Sequence, residues 1–161
     1  MKSLEELKVI REKMQDQIAF RAEHEGEFPI LDGFRKHVLV CGGTGCTSSG
    51  SKKILEILES DIKKHGLEKE VGIVKTGCFG LCALGPIMIV YPEGSFYSMI
   101  SEDDIPEIVS EHLANDRVVT RLLYQETVAG EKILPLQETK FYKKQKRIAL
   151  RNCGVIAPEN I

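Results

Sequence analysis

The chain has 161 residues, with 22 Lys+Arg against 24 Asp+Glu and a formal net charge of −2. That near balance excludes nucleic acid and anionic membrane as partners recruited by bulk charge, and the longest apolar runs, such as Ile87 to Tyr91, fall far short of the ~18 residues a membrane span needs. The length fits one domain with extensions. The acidic start without an apolar leader, and an odd count of five cysteines, argue against a disulfide framework and for a reducing, cytoplasmic location.

In chain order, residues 3 to about 24 read as an amphipathic helix. Ser3 and Glu6 have capping-box spacing, and Leu7, Ile10, Met14 and Ile18 recur at three- and four-residue steps, until Glu25-Gly26-Glu27-Phe28-Pro29 ends the pattern. His37 to Val40 is a short buried strand. A helix follows from around Ser49 to His65, with Ile54, Leu55, Leu58 and Ile62 on one stripe and Gly66 as its stop. Val71 to Val74 is a second strand. Ile87 to Tyr91 and Phe96 to Ile100 are two more, joined by the turn Pro92-Glu93-Gly94-Ser95. The last helix begins near Asp104, capped by its spacing to Glu107, with Pro106 in the first turn. The order β-α-β-β-α predicts a mixed sheet of about four strands flanked by helices, the first two parallel through a helical crossover and the last two antiparallel. This is α/β, and it resembles the core of a thioredoxin-like sandwich. Beyond Asn115 the periodicity fades. Leu122 to Tyr124 and Ile133 to Leu136 read as short strands or an extended linker, and residues 140–147 mix basic and aromatic side chains as a docking or linker segment would.

The chemistry lies in four cysteines. Cys41-x4-Cys46 and Cys78-x3-Cys82 stand on two glycine-rich loops, each directly after an apolar strand, with 31 residues between the pairs. Parallel neighbouring strands bring their C-terminal ends side by side, so the loops can share one metal centre. As ligands, four thiolates hold a two-iron, two-sulfide cluster, and backbone N–H groups of Gly42, Gly43, Gly45 and Gly80 can reach the sulfurs. Cys46, just before a helix N-terminus, gains ligand character from the dipole. Two alternatives stay open. Structural zinc is compatible with the second pair's spacing, and a dithiol redox enzyme is conceivable, although the C-x-x-C signature is absent. Cys153 stands alone and reads as a small buried hydrophobe. His24, His37, His65 and His112 are scattered and fit helix-surface or strand-edge positions. Lys52 and Lys53, beside the first loop, are either surface lysines or an offset to cluster charge.

Cys41-x4-Cys46 after a strand, with Gly77-Cys78-x3-Cys82 and Gly85-Pro86 before the next strand, resembles the thioredoxin-like [2Fe-2S] ferredoxins over about residues 35–115. The family includes the 24-kDa subunit of respiratory NADH dehydrogenase. The resemblance implies that Cys41, Cys46, Cys78 and Cys82 bind one [2Fe-2S] cluster that relays electrons, and that Pro86 falls where such folds carry a cis-proline. The tail from Phe141 to Gly154 is similar to the opening of the flavin- and NADH-binding subunit of NADH dehydrogenase, an arrangement also found in β subunits of NAD(P)-linked iron-only hydrogenases. It implies three segments: an N-terminal helix and linker at 1–30, the ferredoxin domain at 35–115, and a linker at 116–161 leading into a flavoprotein module. FMN and NAD(P) are expected only in that module. The expected partners are the module, other iron–sulfur subunits and a second copy of the chain as a homodimer, with no nucleic acid and no membrane span.

Overall fold

The computed structural model describes residues 3–22, 34–125, 136, 139–156 and 158. Helix α1 spans Leu4–Ala22. Its start is the expected capping box: the Ser3 N–H donates to Glu6 Oε2 at 2.6 Å, and the Glu6 N–H to Ser3 Oγ at 3.2 Å. The apolar stripe is only weakly used, since Leu7 is exposed while Ile10 and Met14 are half-buried. The Ile18 side chain, His24 and the terminating segment 25–29 lie outside the described residues.

Four strands form one sheet: β1 Lys36–Cys41, β2 Val71–Thr76, β3 Met88–Tyr91 and β4 Ser95–Tyr97. Their spatial order is β2-β1-β3-β4. β1 and β2 are parallel, with Cys41 opposite Thr76, while β1/β3 and β3/β4 are antiparallel. The expected mixed sheet and its crossover are therefore present. Side chains alternate across it, as a period of two requires. Val38, Val40, Met88, Val90 and Tyr97 face one way, into a core closed by the crossover helix and the last helix. Leu39, Cys41, Ile89, Tyr91 and Phe96 face the other way and pack with Cys46, Phe79 and Leu136. The first core alone buries eighteen apolar side chains. Each contributes about 1.5–3 kcal/mol of transfer free energy, set against the conformational entropy lost on folding.

The crossover departs from its expected form. The sequence predicts one helix from around Ser49, but there are two, α2 Thr44–Ser48 and α3 Ser51–Lys64. Gly50, with φ +95°, separates them. A residue in the left-handed region cannot continue a helix, and glycine occupies that region without a Cβ penalty. The end of α3 is as expected: the Gly66 N–H bonds to Lys63 O and the Leu67 N–H to Ile62 O, a left-handed glycine stop.

The last helix is also capped differently. Ser101, not Asp104, is the N-cap residue: Asp104 Oδ2 accepts from the Ser101 N–H at 2.8 Å and from the Ser101 hydroxyl at 2.6 Å. Asp104 and Glu107 do not pair through the backbone, and instead both take Arg121. Helix α4 then runs over Ile105–Glu107, with Pro106 in its first turn, and widens into a π-helical stretch over Ile108–Leu113.

His112 is fully buried on that stretch, so the expected surface position is wrong. Its Nδ1 meets the Tyr97 hydroxyl at 2.7 Å, and its Nε2 stands 3.5 Å from Glu93 Oε2 without a hydrogen bond. Lys36 is buried too, with Nζ 2.5 Å from Glu93 Oε1 and 2.9 Å from Asp116 Oδ1. His37, also buried, edges onto the ring of Phe34. These polar groups cluster at the start of β1, the opposite end of the strand from Cys41.

In the tail, Thr120–Leu122 forms a turn of 3-10 helix, Leu123 makes an isolated bridge to Tyr97, and Lys140–Lys143 forms a short helix, α5, with Thr139 accepting the Tyr142 N–H. Residues 133–135 of the expected strand lie outside the described residues, whereas Leu136 is buried.

Candidate metal centre

Cys41 ends β1, the central strand, and is tied on both sides: its N–H bonds to Ile87 O at 3.1 Å, and the Gly42 N–H bonds to Thr76 O at 2.9 Å. Cys46 is the third residue of α2, not ahead of a helix as expected. Both sulfurs are buried, each residue 1% exposed. The second loop is looser. Gly77 to Leu81 has no regular structure, a short 3-10 turn covers Cys82–Leu84, Cys78 is half-buried and Cys82 is exposed. The structure brings together all four cysteines named from the sequence; Cys153 is not among them.

The thiols meet as pairs. Cys78 Sγ and Cys82 Sγ are 3.6 Å apart, close to the ~3.7 Å edge of a tetrahedron with ~2.3 Å metal–sulfur bonds. The Cys46 thiol makes a side-chain contact with Cys41, and the Ile87 N–H is directed at it. Among the described residues, no group of three or more His, Cys, Asp or Glu side chains gathers around a point where a single ion would sit. Glycines line the space between the pairs. A Cβ on Gly43 would stand 3.2 Å from Cys78 Sγ, one on Gly45 would stand 3.7 Å from Cys82 Sγ, and one on Gly85 would fall 2.7 Å from Cys46 Sγ. The Gly80 N–H donates to Cys78 Sγ at 3.3 Å. Pro86 follows a cis peptide bond, as the resemblance implies.

The site disfavours its own ionisation. Burial pushes the Cys46 thiol up to about 12, reinforced by the Cys41 thiol. The neighbouring Cys78 raises Cys82. Two thiolates side by side repel, and a buried one loses its hydration. A bound cation removes both penalties by drawing the sulfurs into the ligand form. Paired thiols in a glycine cradle therefore fit a cluster in which each of two irons takes two protein sulfurs.

Of the flanking charges, Lys53 is taken by Glu102 at 2.8 Å, and Lys52 is exposed. The site residues that sequence reasoning missed come from the tail. The Tyr142 hydroxyl and Arg147 Nη2, the latter at 2.8 Å, both donate to Phe79 O, inside the second cysteine loop. Leu136 packs with Cys41 and Cys46. The only sequence signal was the basic-aromatic run itself, which does not say what it packs against.

A mixed α/β sandwich carrying four converging cysteines on two strand-end loops defines a metal-binding redox protein. The family described as thioredoxin-like [2Fe-2S] ferredoxin matches residues 31–113. A [2Fe-2S] ferredoxin of Clostridium pasteurianum is 41% identical over 98 residues, covering 55% of this chain and 94% of its own. A [2Fe-2S] ferredoxin of Aquifex aeolicus is 32% identical over 97 residues, covering 55% and 87%. The 1.5 Å crystal structure of the wild-type thioredoxin-like [2Fe-2S] ferredoxin from Aquifex aeolicus superposes with a TM-score of 0.53 at 31% identity, covering 58% of this chain and 99% of that one. The chain belongs to the thioredoxin-like [2Fe-2S] ferredoxin family. Its cofactor is a [2Fe-2S] cluster and its function is electron transfer to and from redox partners, which decides against the zinc and dithiol alternatives. Among the described residues, no helix is long and apolar enough to cross a membrane.

Proposed function

We propose that Cys41, Cys46, Cys78 and Cys82 are the four cluster ligands, and that the chain is the electron-relay portion of an NAD(P)H-linked flavin oxidoreductase of the hydrogenase β-subunit or NADH dehydrogenase type. The observation that carries the ligand assignment is the pairing of the cysteines, with glycine Cβ positions 2.7–3.7 Å from three of the four sulfurs, those of Cys46, Cys78 and Cys82. A further support comes from the Aquifex ferredoxin, of which two Cys→Ser variants have been crystallised; the substituted cysteines stand four residues apart, as do Cys78 and Cys82. When bound, the cluster supplies a one-electron couple. The protein does the rest. Cys41 and Cys46 would hold the cluster from a buried, strand-anchored side, and the Gly80 N–H would offset charge on Cys78. Cys82, which is exposed, would hold it from the side that a partner can approach.

The wider context rests on the tail. The proposed division is an N-terminal helix and linker at 1–30, the relay domain at 35–115, and a linker at 116–161 leading into a flavoprotein module that would carry FMN and NAD(P). That module, other iron–sulfur subunits and a second copy of the chain are the proposed partners, and the cytoplasm the proposed location. Anaerobic preparation followed by iron and acid-labile sulfide analysis tests the assignment. About two of each per chain, visible absorption and a reduced-state paramagnetic signal are expected, and a colourless, iron-free protein after reconstitution would sink it. The context predicts that dithionite bleaches the chain but NADH and NADPH alone do not, because the hydride-accepting flavin resides elsewhere.

A further inference from the structure

Phe79 lies between Cys78 and Cys82, and its carbonyl is held by two side chains from far along the chain. Arg147 Nη2 donates at 2.8 Å across 68 positions, and the Tyr142 hydroxyl donates across 63. Both belong to a segment outside residues 31–113, so this contact is added to the family domain and not part of it. The segment braces itself as well. The Arg147 guanidinium stands 4.8 Å above the Tyr142 ring, and its Nη1 donates to Cys153 O at 3.1 Å.

The fit between tail and loop is close. At Gly154, where φ is +81°, a Cβ would fall 2.4 Å from the Phe79 ring, and at Gly80, where φ is +89°, a Cβ would stand 3.3 Å from Arg147 Nη2. The hydrogen bonds of Arg147 go to carbonyls, which orient the guanidinium but leave its unit charge in place beside the loop.

We propose that Arg147 is a positioning residue for the redox centre: with Tyr142 it clamps the Phe79 carbonyl, fixing the Cys78–Cys82 loop, and its charge favours the reduced state. The proposal rests on the ligand assignment above. Uptake of one electron from a one-electron donor, such as dithionite in a titration, adds one negative charge at the centre. A fixed cation stabilises that state over the oxidised one.

The test is a redox titration of the cluster-loaded full chain, followed spectroscopically, together with the rate of iron release to a chelator. In Arg147→Gln the one-electron equilibrium should shift several-fold toward the oxidised form, a tenfold shift being about 59 mV, and iron release should quicken. Arg147→Lys keeps the charge but loses the two-carbonyl fork, so release should quicken while the potential falls less. Tyr142→Phe should quicken release and leave the potential near wild type. An unchanged potential in Arg147→Gln overturns the proposal, whatever happens to release. If the wild type binds no iron, the ligand assignment has failed by itself. The clamp is then read from amide hydrogen exchange at Gly80 and Leu81 in the metal-free chain: faster exchange in Arg147→Gln supports it, and unchanged exchange refutes it.

Discussion

The two cysteine loops present their proposed ligands by opposite means. The first is stitched into the sheet: Cys41 belongs to the central strand, Cys46 to a helix against it, and both are 1% exposed. The second has almost no regular structure, exposes Cys82, and is steadied by hydrogen bonds from a segment more than sixty positions away. A buried, strand-anchored half excludes water and fixes geometry before any metal arrives. An exposed half shortens the path to an electron partner but needs outside support to stay in place. With all four cysteines as ligands, as proposed, holding would fall to the first loop and exchange to the second.

Substituting the ligands one at a time gives the largest effect and the most direct way to break that contrast. Cys41→Ser or Cys46→Ser puts a hydroxyl at a buried position, at a cost of about 1–3 kcal/mol if it goes unpaired, and removes a proposed ligand from the rigid half. Both should abolish the cluster, with iron and sulfide near zero. Cys82→Ser sits at the surface and carries no such penalty, so a fraction of cluster with altered visible absorption should survive. Equal losses from both loops would mean that the rigid and exposed halves are not distinct.

This asymmetry was only partly legible in the sequence. Short apolar runs before glycines located both strands, the parallel crossover and the loops, because strand burial and backbone bending are local signals. The expected helix from around Ser49 is present as α3, but the short helix α2 ahead of it was not legible, because Thr44 to Ser48 carries no apolar stripe. The left-handed backbone of Gly50 separates α2 from α3. Ser101 beat Asp104 as the cap because both have acidic residues at capping distance, and spacing alone cannot rank them. Least legible were the contacts between distant segments. Nothing local in Lys36, Glu93 and His112 announces that they meet, and nothing near Arg147 announces Phe79.

A smaller effect, and a control for the comparison, comes from the far end of β1. Burial pushes the Glu93 carboxyl up, but His112 and Lys36 outweigh it and hold the group down at about 2, against an ordinary 4.5. Because the folded value is the lower one, the stabilisation is complete above about pH 4.5 and is lost as pH falls toward about 2. The Glu93 side chain is 36% exposed, so solvent screening limits the contribution to about 1–2 kcal/mol. Glu93→Gln should lose that amount in urea unfolding at pH 7, with Lys36 left to Asp116 alone. In the metal-free chain, where acid cannot confuse the result by destroying a cluster, the gap between wild type and variant should close across the same pH window. At neutral pH the loaded variant should keep the wild-type visible spectrum, since about five strand residues, or ~16 Å, separate this network from Cys41. A perturbed spectrum would mean that the rigid half senses the whole strand and is not anchored locally.

The smallest effect is expected at Cys153, and its smallness is informative. Cys153 lies in the clamp segment, half-buried, and its recorded contact with Arg147 is through the backbone carbonyl, 3.1 Å from Nη1. Cys153→Ser leaves that carbonyl in place and exchanges one small side chain for another, so the clamp on Phe79 should persist. Visible spectrum, iron content and potential should all match the wild type. The contrast with Arg147→Gln then separates two ways in which the tail can matter. If its side-chain hydrogen bonds and charge support the exposed loop, only Arg147 and Tyr142 variants will register. If Cys153 supplies sulfur to the centre when one of the exposed thiols lets go, the serine variant will lose iron faster than wild type and the second loop will have a fifth ligand in reserve. Parallel release curves for wild type and Cys153→Ser, beside a steeper one for Arg147→Gln, would tie support of the exposed half to the clamp on Phe79 and not to the Cys153 thiol.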